Sequence, residues 1–176
     1  SAVTYLEGYL FDPPAAQSAF RKAAAAAHAA GRRVALSLSD AFCVNRHRAA
    51  FLDLVANHVD ILFANETEIT ALYQRNSFEE AVAAVRQDVA LAALTRSEEG
   101  SLILHGNETI HIAAQPTKVV DTTGAGDAYA AGFLVGLTSG KHLDLCGRMG
   151  SIAAAEIISH YGARPEADLR KLMPPA

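Results

Sequence analysis

Short apolar runs alternate with longer helical stretches along nearly the whole chain, and this alternation limits the possible folds more than any other feature. Val3 to Leu6, Val34 to Leu38, Asp60 to Phe63 and Val89 to Leu94 read as strands. The last is an unbroken apolar run, the pattern of a strand buried on both faces of a parallel sheet. Between them lie helical segments. Ala15 to Ala30 is Ala-rich and stops at Gly31. Arg46 to Asn57 places Phe51, Leu54 and Val55 on one face. A short helix follows Asn65-Glu66-Thr67-Glu68 and runs to Tyr73. The next starts at Ser77, where Glu80 is spaced to complete a capping box. Further on, Ser101 to Leu104 and Thr109 to Ile112 flank His105-Gly106-Asn107-Glu108 as a β-hairpin. A loop through Gln115-Pro116 leads to a strand at Lys118-Val119-Val120. Helices are then expected over 128–137, 143–159 and from Glu166 onward. The pattern predicts a single α/β domain over 1–176, built as a doubly wound, mostly parallel sheet with helices on both faces.

Hydrophobic residues make up 51% and charged residues 19% of the 176 positions, enough apolar surface for a core and too little charge for a disordered chain. The net charge of −4 leaves no overall electrostatic footprint for nucleic acid. No apolar run reaches the length of a membrane-spanning helix. Cys43 and Cys146 form no CxxC and no Cys/His cluster, and none of the seven histidines pairs at ligand spacing. Two structural thiols in a reducing, cytoplasmic setting are expected, with no disulfide framework and no zinc site.

The densest chemical signal is Asp121-Thr122-Thr123-Gly124-Ala125-Gly126-Asp127. Gly124, Ala125 and Gly126 allow a tight turn that aims successive amides at one point, and a helix N-terminus favours an anion there. Asp127 is then placed to take a proton from a hydroxyl attacking a phosphorus held over those amides. The bland reading is a helix cap and a turn. Flanking Asp121-Thr122-Thr123 and the small residues Ala128, Ala130, Ala131 and Gly132 favour the functional one. Two rival phosphate motifs fail. Tyr129 stands where a dinucleotide fingerprint needs Gly or Ala, which also disfavours an oxidoreductase. Gly136 to Lys141 is one residue short of a Walker A loop and has His142 in place of Ser or Thr. At the expected carboxyl ends of strands lie Asn65 and Glu68, suited either to helix capping or to a hydrated Mg²⁺. Thr95 to Gly100 lies similarly, either as a plain turn or as a contact for phosphate oxygens.

In this order the motifs resemble the ribokinase-like (PfkB) carbohydrate and nucleoside kinase family. Asp121 to Asp127 looks like its C-terminal signature and Asn65-Glu66-Thr67-Glu68 like its Asn-x-x-Glu element. Thr95 to Gly100 looks like its Thr-x-Gly-x-x-Gly element, with Ser97 where Gly is commoner. Tyr5-Leu6-Glu7-Gly8-Tyr9 and Ser159-His160-Tyr161-Gly162-Ala163 look most like the adenosine-kinase-like branch. The resemblance implies ATP-dependent phosphorylation of a sugar or nucleoside hydroxyl, with Asp127 as base and Gly124, Ala125 and Gly126 as the anion hole. It implies that Glu68 and Asn65 organise Mg²⁺ through water. Thr95, Ser97 and Gly100 would line the nucleotide phosphates, and the helix carrying Ser151 and Ala154 would border the adenine. A monovalent cation (K⁺) would sit near Asp121, Thr123 and Gly162. Nucleic acid and membrane are not expected partners, and a homodimer is left open. Nothing here matches the family's N-terminal Gly-Gly substrate motif or its lid. The chain is expected to be the C-terminal, nucleotide-binding and catalytic portion of a longer kinase. The alternative is a nucleotide-binding or regulatory module that keeps the fold without turnover.

Overall fold

The computed structural model describes residues 1–174. Six strands form one mixed sheet in chain order: β1 (Val3–Glu7), β2 (Arg33–Ser37), β3 (Ile61–Asn65), β4 (Leu91–Thr95), β5 (Ser101–His105) and β6 (Glu108–Ile112). Helices α1 (Pro14–Ala29), α2 (Ala41–Arg46), α3 (Arg48–His58), α4 (Glu66–Tyr73) and α5 (Phe78–Asp88) separate the first four strands. After the β5–β6 hairpin come α6 (Ala125–Thr138), α7 (Leu143–Ile157) and α8 (Leu169–Leu172). The chain divides into two compact units, 1–94 with 104–108, and 95–103 with 109–176.

In the first unit β1, β2 and β3 are parallel, with Tyr5 opposite Ala35 and Ala35 opposite Ile61. Helical crossovers make this pairing possible and cover the strands, so β2 and β3 are buried almost without alternation. Pro13 and Pro14 open α1, and Gly31 follows its end at φ 64°. Gly8 is fixed by close approach: a methyl group there would meet the Ser37 and Leu38 carbonyls, inside 3 Å. An unexpected helix, α2, precedes α3 because Asp40 caps it, accepting from the amides of Phe42 (2.9 Å) and Cys43 (3.1 Å). At α5 the Ser77 hydroxyl accepts from Glu80 N–H as expected, but Glu80 reaches back to the amide of Asn76 and not to that of Ser77.

In the second unit α6 and α7 pack through glycines. A methyl group at Gly132 would overlap the backbone of Met149, and one at Gly150 would lie 2.8 Å from the Tyr129 carbonyl. Gly147 faces Ile103 and Ile112, which seats α7 on the hairpin. Such backbone-to-backbone approach leaves no room for a side chain. The Walker-like stretch ends α6 as expected: Gly140 is left-handed (φ 73°) and the Lys141 amide donates to Gly136 O, a Schellman closure.

Three expectations change here. Lys118 to Val120 is an exposed loop, because the amides of Val120 and Asp121 donate to the Ile158 carbonyl at a helix end instead of to a strand. Helix α6 starts at Ala125, so Asp127 lies within its first turn. The last helix is confined to Leu169–Leu172, since the amides of Glu166 and Ala167 are drawn to Glu156 Oε1, both at 2.8 Å.

Candidate active site

Asp121 organises the start of the glycine-rich loop. Its Oδ1 accepts from the Thr123 amide (3.0 Å) and hydroxyl (2.7 Å), and its Oδ2 from the Gly162 amide (3.3 Å). Thr123 above all, then the Gly162 amide, holds the Asp121 carboxyl below the usual carboxylate range. The structure thus brings together Asp121, Thr123 and Gly162, the trio expected near a cation. The same contact carries a pH prediction. A depressed carboxyl stabilises its clamp fully above the ordinary value of about 3.9 and loses that contribution as pH falls through its own lower value. Hydrogen exchange at the Gly162 amide is expected to be slow at pH 6, to accelerate as pH falls below the carboxylate range after correction for intrinsic rates, and to be fast at pH 6 in Asp121→Ala. Equal protection in that variant would show that the carboxylate does not hold the loop.

Gly124 caps α6 at φ 80°, in the left-handed region, and a methyl group there would lie 2.7 Å from Ala163 Cβ. Both demands select glycine. The Ala125 amide donates to Thr122 O at 3.2 Å, and the helical ladder begins with Ala128 N–H to Gly124 O at 2.9 Å. Among the described residues nothing accepts from the amides of Gly124, Gly126 and Asp127. The free donors are therefore Gly124, Gly126 and Asp127, with the Ala125 amide turned to closing the loop. Asp127 is exposed, and its carboxylate has no hydrogen-bond partner among the described residues. Two residues on, the buried Tyr129 hydroxyl bonds Ser101 Oγ at 2.7 Å, and burial pushes its pKa up to about 12. This neutral pair anchors the first turn of α6 to β5. Ser101 escaped the sequence reading, though a serine opening a strand of otherwise apolar residues signals a buried polar partner.

Thr95 closes β4, and Ser97–Glu99 forms one 3₁₀ turn held by Gly100 N–H to Ser97 O (3.1 Å) and Arg96 N–H to Gly100 O (2.8 Å). Arg96 pairs with Glu99 at 2.7 Å. Ser97 has φ 50°, which explains why glycine suits this position better. Ser97→Gly is expected to raise stability by a few tenths to about 1 kcal/mol, strain relief exceeding the added unfolded-state entropy. Urea denaturation measures it; a loss of stability would deny the left-handed backbone. Ser151 and Ala154 lie half-buried on α7, beside its packed face of Cys146, Met149, Gly150 and Ala153.

In the first unit Asn65 ends β3 and caps α4 in a reciprocal capping box. Asn65 Oδ1 accepts from the Glu68 amide (2.8 Å), and Glu68 Oε2 accepts from the Asn65 amide (2.9 Å). Glu68 Oε1 also takes a bond from Asn65 Nδ2 at 2.8 Å. Glu68 is 7% exposed; burial first, then the carboxylates of Asp40 and Glu7, raise its pKa. Both oxygens keep free lone pairs, and the surplus of negative charge suits a water of hydrated Mg²⁺ better than direct ligation.

One expectation on ligand spacing is corrected. Cys43 and His47 stand one helical turn apart, and Asp12 reaches them from 31 residues away, so that one ligand atom from each lies within 4.8 Å of the others. The Cys43-x-x-x-His47 spacing is present in the sequence; only the third member, Asp12, comes from a distant turn that local spacing does not show. Both cysteines are free and buried.

The sequence pattern of pfkB family carbohydrate kinases matches residues 1–169. The structure of adenosine kinase from Sinorhizobium meliloti superposes with a TM-score of 0.95 at 50% identity, over 98% of this chain and 53% of that one. A probable sugar kinase from Rhizobium etli CFN 42 gives 0.95 at 47% identity, over 97% of this chain and 52% of that one. An uncharacterized sugar kinase of Archaeoglobus fulgidus is 36% identical over 113 residues, 64% of this chain and 45% of that protein. The chain spans about half the length of the curated relatives it matches. Among the described residues no helix is long and apolar enough to cross a membrane.

Proposed function

Because the chain belongs to the pfkB family of carbohydrate kinases, we propose that it is the C-terminal, nucleotide-binding and catalytic portion of a longer enzyme that transfers the γ-phosphoryl group of ATP to a hydroxyl of a sugar or nucleoside. Likeness to an adenosine kinase over nearly the whole chain favours a nucleoside acceptor of the adenosine type. The observation that carries the reading is the first turn of α6, where three unspent amides stand beside an exposed, unpaired carboxylate. A site that only bound phosphate would gain nothing from that acid, so the reading of a binding module without turnover is the weaker one.

Asp127 accepts the acceptor hydroxyl's proton as that oxygen bonds to the γ-phosphorus and the bond to the ADP oxygen breaks. The amides of Gly124, Gly126 and Asp127 donate to the phosphoryl oxygens where negative charge is largest, at the positive end of the helix. Thr95, Ser97 and Gly100 shape a turn for the nucleotide phosphates, and Ser151 and Ala154 border the base. ATP·Mg²⁺, when bound, would supply neutralisation of phosphate charge, and Glu68, its carboxylate fixed by Asn65, would hold a water of that ion. Asp121, by holding Thr123 to Gly162, arranges backbone groups suited to a monovalent cation. Calorimetry with ATP·Mg²⁺ beside a coupled kinase assay on the complete protein tests the proposal. Binding together with turnover of a nucleoside or sugar is expected; binding without turnover of any acceptor in a panel of both would favour the module.

A further inference from the structure

We propose that Asp12, Cys43 and His47 form a site for one zinc-like divalent cation. Asp12 follows the 3₁₀ turn Gly8–Phe11, Cys43 lies in α2, and His47 ends that helix. The bond from the His47 amide to the Cys43 carbonyl (3.1 Å) puts the two side chains one turn apart on the same face. Asp12 Oδ1 lies 2.9 Å from His47 Nε2 and 3.8 Å from Cys43 Sγ, and all three ligand atoms fall within 4.8 Å of one another. With Zn–S of about 2.3 Å and Zn–N or Zn–O of about 2.0–2.1 Å, tetrahedral ligands stand about 3.3–3.6 Å apart. The two contacts of Asp12 need adjustments of a few tenths of an ångström, and the Cys43–His47 pair, within 4.8 Å, closes by up to about 1.2 Å through side-chain rotation.

The donor set selects the metal. Sulfur, imidazole nitrogen and carboxylate oxygen suit a borderline-soft ion, whereas Mg²⁺ and Ca²⁺ take oxygen. Cys43 is 1% exposed and forms the floor, while about half of the Asp12 side chain is open to solvent, so an ion reaches the site from the carboxylate side. The Phe11 ring stands edge-on to the His47 ring at 5.8 Å and helps fix its plane. Three protein ligands leave a fourth position for water. On binding, the Cys43 thiol gives its proton to solvent and His47 binds through Nε2 as neutral imidazole. Arg46 competes for Asp12, contacting Oδ1 at 3.1 Å and Oδ2 at 2.9 Å. The ion needs only Oδ1, and the half-exposed guanidinium can remain on Oδ2.

The test is titration of this chain with Co²⁺, which reports a thiolate ligand by charge-transfer absorption in the near ultraviolet. One equivalent is expected to saturate the band, and Zn²⁺ to displace it. The band should vanish in Cys43→Ala, and affinity should fall by more than about 10-fold in His47→Ala and in Asp12→Asn. Arg46→Ala removes a competing cation and is expected to tighten binding; if the four side chains form only an ion-pair network, that variant changes nothing in the titration. Circular dichroism confirms folding of each variant. Absence of the band in the folded parent chain overturns the proposal. So does its persistence in Cys43→Ala, or unchanged affinity in both His47→Ala and Asp12→Asn.

Discussion

Asp127→Asn in the complete protein is expected to lower kcat by about 10²- to 10⁴-fold, the usual contribution of a positioned base. Nucleotide affinity should stay the same or improve slightly, since the change removes a negative charge beside phosphate. The amide keeps the volume and leaves the first turn of α6 intact, because the Asp127 carboxylate has no hydrogen-bond partner among the described residues to lose. A loss of function therefore cannot come from a broken fold. Single-turnover kinetics with ATP·Mg²⁺ and a nucleoside acceptor separate the chemical step from binding. A variant that turns over at near-normal rate would remove Asp127 from the proton-transfer role. A variant that loses nucleotide affinity in step with kcat would make the residue a binding group instead.

The glycine-rich signature was legible because its chemistry is local. Gly124 needs a positive φ, the helix supplies its own unpaired donors, and Asp127 sits on that same turn. What could not be read locally was which amides stay free. Ala125 donates to Thr122, a closure set by the left-handed Gly124 together with the Asp121 clamp on Thr123. Strand runs buried on both faces, such as Leu91 to Leu94, were visible as unbroken apolar stretches. Lys118-Val119-Val120 offered only two apolar residues, and the Val120 amide, with that of Asp121 after it, answers to Ile158, a partner almost forty residues on. Helix α2 was hidden for the opposite reason: six residues carry too little periodicity, and its stability rests on the Asp40 cap. The Asn65–Glu68 pair shows a limit of motif reading. Asn-x-x-Glu specifies a capping box whose geometry is complete without any ion, so spacing alone never distinguished the two roles.

Gly100→Ala is expected to be the most destabilising single change among the residues of the proposed nucleotide turn, costing more than about 3 kcal/mol. Two independent penalties add. At φ 84° and ψ −131° the backbone lies where side chains are essentially excluded, worth about 1–3 kcal/mol. The added methyl would also overlap the Ile112 carbonyl oxygen and stand 2.7 Å from the Ala114 amide nitrogen, both main-chain atoms that no rotamer change can move aside. Relief requires the 3₁₀ turn to part from β6, and with it the turn carrying Thr95 and Ser97. Gly106→Ala is the matched control, because Gly106 is also left-handed (φ 54°) but has nothing within 4 Å of the added group. That variant should lose only about 1–2 kcal/mol, the backbone penalty by itself. For a chain of this length 3 kcal/mol lowers Tm by about 6–12 °C, so thermal unfolding separates the two variants clearly. Equal losses at the two sites would mean that the Ile112 backbone does not crowd Gly100, and the close approach that shapes the turn would have to be abandoned.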